Sequence, residues 1–154
     1  MSQRITVQRA LYYTLLLAVI FLSSCAVQQQ IKKTNLREIE DKTASIEEQW
    51  GIEVQGISLS AAGYMLDFRY KVVDPAKAVP ILRRRTKAYL VDQATGATVQ
   101  VPITKIGSLR QTTLRPEAGR TYFVIFANLG KFVKSGSKIT VAIGDMRIED
   151  LVVN

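Results

Sequence analysis

The chain has one thiol, Cys25, and no histidine. It therefore lacks the usual side chain for proton transfer near neutral pH and the commonest zinc and copper ligand. With no second cysteine a disulfide framework is excluded, so the fold must rest on apolar packing. Arginines are the next residues with defined chemistry. Arg83, Arg84, Arg85 and Lys87 follow the apolar Ile81 and Leu82, and guanidinium forks pair well with phosphate or carboxylate. A second basic set, Lys105, Arg110, Arg115 and Arg120, lies in or beside a later loop. If the two loops share one end of the fold, the protein carries a single cationic rim. Arg83, Arg84, Arg85, Lys87, Arg110 and Arg115 are its candidate contacts with an anionic partner; the alternative is a merely solvated face.

Carboxylates are scattered over Asp67, Asp74, Asp92, Glu117, Asp145, Glu149 and Asp150, and no spacing resembles a calcium loop. Asp145, Glu149 and Asp150 could still meet near a strand end and hold a weak cation. Met65 and Met146 suit core gaps better than copper. Ser135 and Lys138 stand three apart as in some Ser/Lys hydrolases, but a Ser-Gly-Ser-Lys turn explains them. There is no Gly-x-Ser-x-Gly elbow and no phosphate-binding glycine loop. No catalytic residue, metal or cofactor is expected.

Ahead of Cys25 lie Arg4 and Arg9 without an acidic residue, then the apolar stretch 10–22. This has the charged and apolar regions of a secretory signal. A transmembrane anchor is the competing reading, but about thirteen residues of helix span only about 20 Å, short of a hydrocarbon core of about 30 Å. The run Leu22, Ser23, Ser24, Cys25 resembles a bacterial lipobox. That resemblance implies a signal peptide over 1–24, cut away as the Cys25 thiol is acylated, and a domain held by its lipid on the extracytoplasmic side. Ala26, rather than Asp, implies sorting to the outer membrane in a two-membrane bacterium, facing the periplasm. Removing the leader takes away only Arg4 and Arg9 and lowers the formal charge from +8 to about +6. Such a balance favours anionic partners: lipid headgroups, lipopolysaccharide or an acidic envelope protein. The compartment disfavours nucleic acid.

About 130 residues remain, enough for one domain with a real core. Residues 25–34 read as an acylated, polar tether. From Asn35 to Trp50 the spacing of Leu36, Ile39, Thr43, Ile46 and Trp50 predicts an amphipathic helix, started by Asn35 with Glu38 and stopped by Gly51. Two heptads are too few for a coiled coil, so the helix is expected against its own domain with Trp50 at the junction.

Beyond Gly51 the period changes to two. Residues 64–73 alternate apolar and polar until Asp74 and Pro75 stop them, and 87–91 and 98–103 flank a turn-forming cluster at 92–96. Residues 120–127 are apolar on both faces, the pattern of a central covered strand. Residues 138–143 and 146–153 are separated by Gly144 and Asp145. With 51–59 as the first, seven short strands fill 51–154. The best fit is a mainly β fold, a seven-stranded antiparallel immunoglobulin-like β-sandwich preceded by a short helix, with a small β-barrel as the alternative. The stretches 76–85 and 107–119 read as long loops, where binding surfaces usually lie.

Gly63, Tyr64, Met65, Leu66, Asp67, Phe68, Arg69 and Tyr70, with Asp74 and Pro75, resemble a family of bacterial envelope lipoproteins that carries no assigned activity. Gly119 to Phe123 and the ending Ile143, Gly144, Asp145 fit the same resemblance. The expected role is a non-enzymatic binding or assembly module, anchored through Cys25 and meeting an anionic partner or surface with its basic loops. One alternative is a carrier or sensor with a ligand pocket lined by Tyr64, Phe68, Tyr122 and Phe126. A hydrolase is the third and weakest reading.

Overall fold

The computed structural model describes residues 44–105 and 107–154. The leader, Cys25, the tether and residues 35–43 of the expected helix lie outside them. The described part of that helix, α1, covers 44–50 and belongs to the same compact unit as everything that follows. Ile46 and Trp50 pack against the core from it. Gly51 ends it in the left-handed region at φ +63°, with its N–H donating to Glu47 O at 2.9 Å. Only glycine fits: a Cβ there would stand 2.5 Å from Asp74 O.

Seven strands of three residues or more follow. In chain order they are β1 (Ile52–Ser60), β2 (Met65–Val72), β3 (Ala88–Asp92) and β4 (Thr98–Gln100), then, after the two-residue pair β5 (Ile103–Thr104) and β6 (Gly107–Ser108), β7 (Thr121–Ala127), β8 (Lys138–Ile143) and β9 (Met146–Val152). One sheet has the order β1-β2-β7 and the other β4-β3-β8-β9. Residues 109–111 extend the first sheet along the free edge of β7, where Gln111 N donates to Phe123 O at 3.1 Å and Ile125 N to Leu109 O at 2.9 Å. With that edge counted, the order is that of an immunoglobulin-like sandwich, and the hydrogen-bonded order does not close into a barrel.

Alternation in the sequence becomes burial in the fold. Leu66, Phe68, Tyr70 and Val72 of β2 meet Tyr122, Val124 and Phe126 of β7 and Leu90, Ile139, Val141 and Ile143 of the second sheet in one core. Each such side chain, fully buried, stabilises by about 1.5–3 kcal/mol. Met146 is fully buried among them. A bulge at Gly56 bends β1 so that its second half also meets the chain's last residues: Asn154 N donates to Ile57 O at 3.0 Å, and Leu59 N to Asn154 O at 3.2 Å.

Two expectations change. Residues 76–85 are not simply a loop: Pro75–Leu82 form a helix, α2. Asp74 caps it, its carboxylate accepting from Ala76 N at 2.9 Å and Lys77 N at 3.3 Å, and Pro75 occupies the first turn. The residues that stop β2 thus start a helix. In addition, the outer face of β7, with Phe123 and Ile125, is only half-buried, so this strand is central in its sheet without being covered on both faces.

Register defines two ends. Ser60 pairs with Met65 and Met65 with Ala127, which places the turn 61–64 and the segment after 127 together. Ile52 pairs with Val72 and Lys71 with Thr121, which places Gly51, α2 and residues 112–120 at the other end. The chain enters the sandwich at this second end.

Candidate functional site

The end at which the chain enters gathers the two arginine-bearing segments. Helix α2 stops at Leu82, and Arg83 to Thr86 form a turn closed by Thr86 N donating to Arg83 O at 3.1 Å. A helix end leaves carbonyls without partners, and three are met here from outside the helix. The Thr86 hydroxyl donates to Pro80 O at 2.7 Å. Thr113 N donates to Leu82 O at 2.9 Å. The Arg110 guanidinium donates to Ile81 O at 2.5 Å through Nη2 and to Thr86 O at 2.6 Å through Nη1.

Arg110 therefore departs from the other five expected contacts. It is 9% exposed, its forked donors are occupied by backbone, and it faces inward beneath the turn rather than out to a partner. Its cation also sits at the negative end of the α2 dipole. Burial lowers its pKa, while the neighbouring Tyr70 acts in the opposite direction. Burial raises the pKa of the Tyr70 phenol well above its ordinary value, with Arg110 pulling it back, so the phenol is neutral. Tyr70 Oη and Arg110 Nε are both buried without a protein partner.

Above this support lies a pocket of about 400 Å³ lined by Arg83, Arg84, Arg85, Thr112, Thr113 and Leu114. The two loops do share one end, and the first arginine run lines their common pocket. Arg83, Arg84 and Arg85 are exposed, and no carboxylate among the described residues forms an ion pair with them. Three like charges on consecutive residues repel one another unless an anion lies between them. The Thr113 hydroxyl accepts from Arg115 N at 3.0 Å, which leaves its own proton for a further acceptor. Arg115 and Lys87 are exposed beside the lining residues.

Lys105 is exposed in the β5–β6 turn, whereas Arg120 is engaged, 2.7 Å from Glu117 and 5.4 Å from the centre of the Tyr122 ring. Sequence reasoning missed Thr112, Thr113 and Leu114, because nothing local marks them as neighbours of residues thirty positions earlier.

The remaining candidates stay apart. Phe68, Tyr122 and Phe126 are packed into the core while Tyr64 is exposed at the opposite end, so the four do not line a common cavity. Asp145, Glu149 and Asp150 do not converge, and among the described residues no group of three potential ligands does. Ser135 and Lys138 share no hydrogen bond, and the neighbouring Ser137 hydroxyl accepts from Lys134 N at 3.0 Å. No protein-family model, curated protein or solved structure matches this chain.

Proposed function

We propose that this protein is a lipid-anchored, non-enzymatic binding or assembly module of the bacterial cell envelope, held through acylated Cys25, which takes an anionic group into its arginine pocket. The supporting observation is the union of Arg83, Arg84 and Arg85 with Thr112–Leu114 in one pocket whose wall is fixed by the buried Arg110. Guanidinium forks and a hydroxyl proton recognise phosphate or carboxylate oxygens, and a turn tied by five hydrogen bonds presents them on a backbone already ordered. Proton transfer or nucleophilic attack has no arranged group in the pocket. Guanidinium stays protonated, and a threonine hydroxyl without an adjacent base is a poor nucleophile.

The test uses the full chain produced in a bacterial host. Mass analysis of the mature N-terminus is expected to find acyl chains on Cys25, lost in Cys25→Ser. Retention of the detergent-extracted protein on immobilised lipopolysaccharide or an anionic phospholipid is expected to fall with salt and with combined Arg83→Gln, Arg84→Gln and Arg85→Gln substitution. An unmodified Cys25, or the absence of arginine-dependent retention on these lipids and on an immobilised envelope-protein extract alike, overturns the reading.

A further inference from the structure

We infer that the anion taken by the arginine pocket is the phosphate of a membrane lipid, so that the sandwich turns this end toward the bilayer that carries it. The inference rests on the function proposed above and names its ligand.

Three observations carry it. First, the pocket is amphipathic. Leu114 is 73% exposed within a lining otherwise made of arginines and threonines. A lipid headgroup offers this combination in reverse, with phosphate oxygens above an apolar glycerol and chain region, whereas an acidic protein face offers carboxylates set in water. Second, the cations are arginines. Both ends of the sandwich are basic, since Lys131, Lys134 and Lys138 stand at the other, but the arginine end sets three consecutive arginines in the lining of one pocket. A lysine is a strongly hydrated point charge; an arginine fork matches two phosphate oxygens.

Third, the chain enters the sandwich at the arginine end. Lys77 of α2 donates to Glu48 O of α1 at 2.6 Å, and Gly51 O accepts from Val73 N and Asp74 N at 2.8 and 3.0 Å. The end of α1 therefore lies beside the start of α2, whose far end forms the arginine turn. Anchorage through Cys25, as proposed above, confines the domain near the bilayer surface and raises the effective headgroup concentration to about the millimolar range, so a weak pocket suffices. Leu114 then meets the interfacial zone while the guanidinium groups stay at the phosphate level.

The experiment places a photo-crosslinking residue at Leu114 of the full chain in living bacteria, with the same residue at Leu129 of the opposite end in a second strain. Captured species are identified by mass. The expected result is a phospholipid or lipopolysaccharide adduct at Leu114, several-fold weaker at Leu129. It should fall by at least about tenfold when Arg83, Arg84 and Arg85 are all changed to Gln, given the attraction of each cation to an anionic surface. Equal melting of the Gln variant shows that the fold is kept. A discrete protein captured at Leu114 in an arginine-dependent way overturns the lipid inference and leaves the proposed binding function standing. Equal lipid capture at both ends also overturns it, since net charge alone would then explain the contact. No adduct at Leu114 in a folded chain, or one indifferent to the arginines, overturns both readings.

Discussion

The two ends of the sandwich solve the same problem with different chemistry. Each has two loops that must be held together across a buried polar position. At the lysine end the tie is Asn128, 1% exposed, whose Nδ2 donates to Gly63 O at 2.9 Å and Val133 O at 2.8 Å while its Oδ1 accepts from Val133 N at 3.3 Å. Its backbone N–H reaches Tyr64 O at 2.8 Å. A neutral amide does the work, and both its amide atoms are engaged. At the arginine end the tie is the Arg110 guanidinium, which must be desolvated as a charge and keeps one N–H unpartnered.

The difference lies in what each tie holds. Asn128 gathers carbonyls of ordinary turns. Arg110 reaches the end of a helix, where the dipole and orphan carbonyls concentrate negative potential, and there a buried cation finds compensation that an amide cannot supply. Displayed residues differ in parallel. The lysine end exposes Tyr64, Leu129 and Phe132, with Lys131 Nζ 4.0 Å above the Tyr64 ring, and its turn puts Ala61 and Ala62 in the left-handed region. The arginine end exposes Arg83, Arg84 and Arg85 around a pocket, with no ion pair to a carboxylate among the described residues.

Breaking the ties separates the two ends. Arg110→Ala should cost most, about 3 kcal/mol in urea unfolding, because it leaves Ile81 O and Thr86 O unpaired beside a new void. Hydrogen exchange should then speed up at the Thr113 amide, with Val133 unchanged. Arg110→Lys keeps the charge but not the fork, and should recover less than half of the loss. Asn128→Ala should cost about 2 kcal/mol with the reverse pattern, exchange rising at Val133 and not at Thr113. Equal effects on both amides in either variant would mean that the ends are not independent.

Titration sharpens the same contrast. The Tyr70 phenol has a higher pKa folded than unfolded, so above about pH 10 the unfolded chain binds fewer protons and stability falls as pH rises. Tyr70→Phe should shallow that alkaline decline in urea midpoints while changing neutral-pH stability by no more than about 1 kcal/mol, since the hydroxyl has no protein partner to lose. The smallest expected effect is at the lysine end. Ala62→Gly relieves a left-handed alanine at φ 55° and should stabilise by about 0.5 kcal/mol, the relief partly offset by glycine's greater freedom when unfolded.

Much of the fold was legible because strands and turns are specified locally. Period-two alternation over β2 reports a single buried face, and Gly51 and Gly144 punctuate the chain where positive φ is required. Helix α2 is signalled too, since Asp74 followed by Pro75 is an N-cap with proline in the first turn, but the same pair equally ends a strand, and local sequence does not separate the two roles. The pairing of the two long loops was conditional on topology.

What the sequence determined by itself is the inventory: a core of alternating apolar residues, a helix stopped by Gly51, one thiol, no histidine and a run of three arginines. These are statements about single residues and near neighbours, and short-range sterics and hydrophobic periodicity suffice to read them. Only the tertiary structure decided that Arg110 is a buried strut while Arg83, Arg84 and Arg85 are free to bind, and that Thr112, Thr113 and Leu114 complete their pocket. The physical reason is that a guanidinium's role depends on whether carbonyls or water surround it. At Arg110 those carbonyls belong to a helix end nearly thirty residues away, brought there by the packing of two sheets.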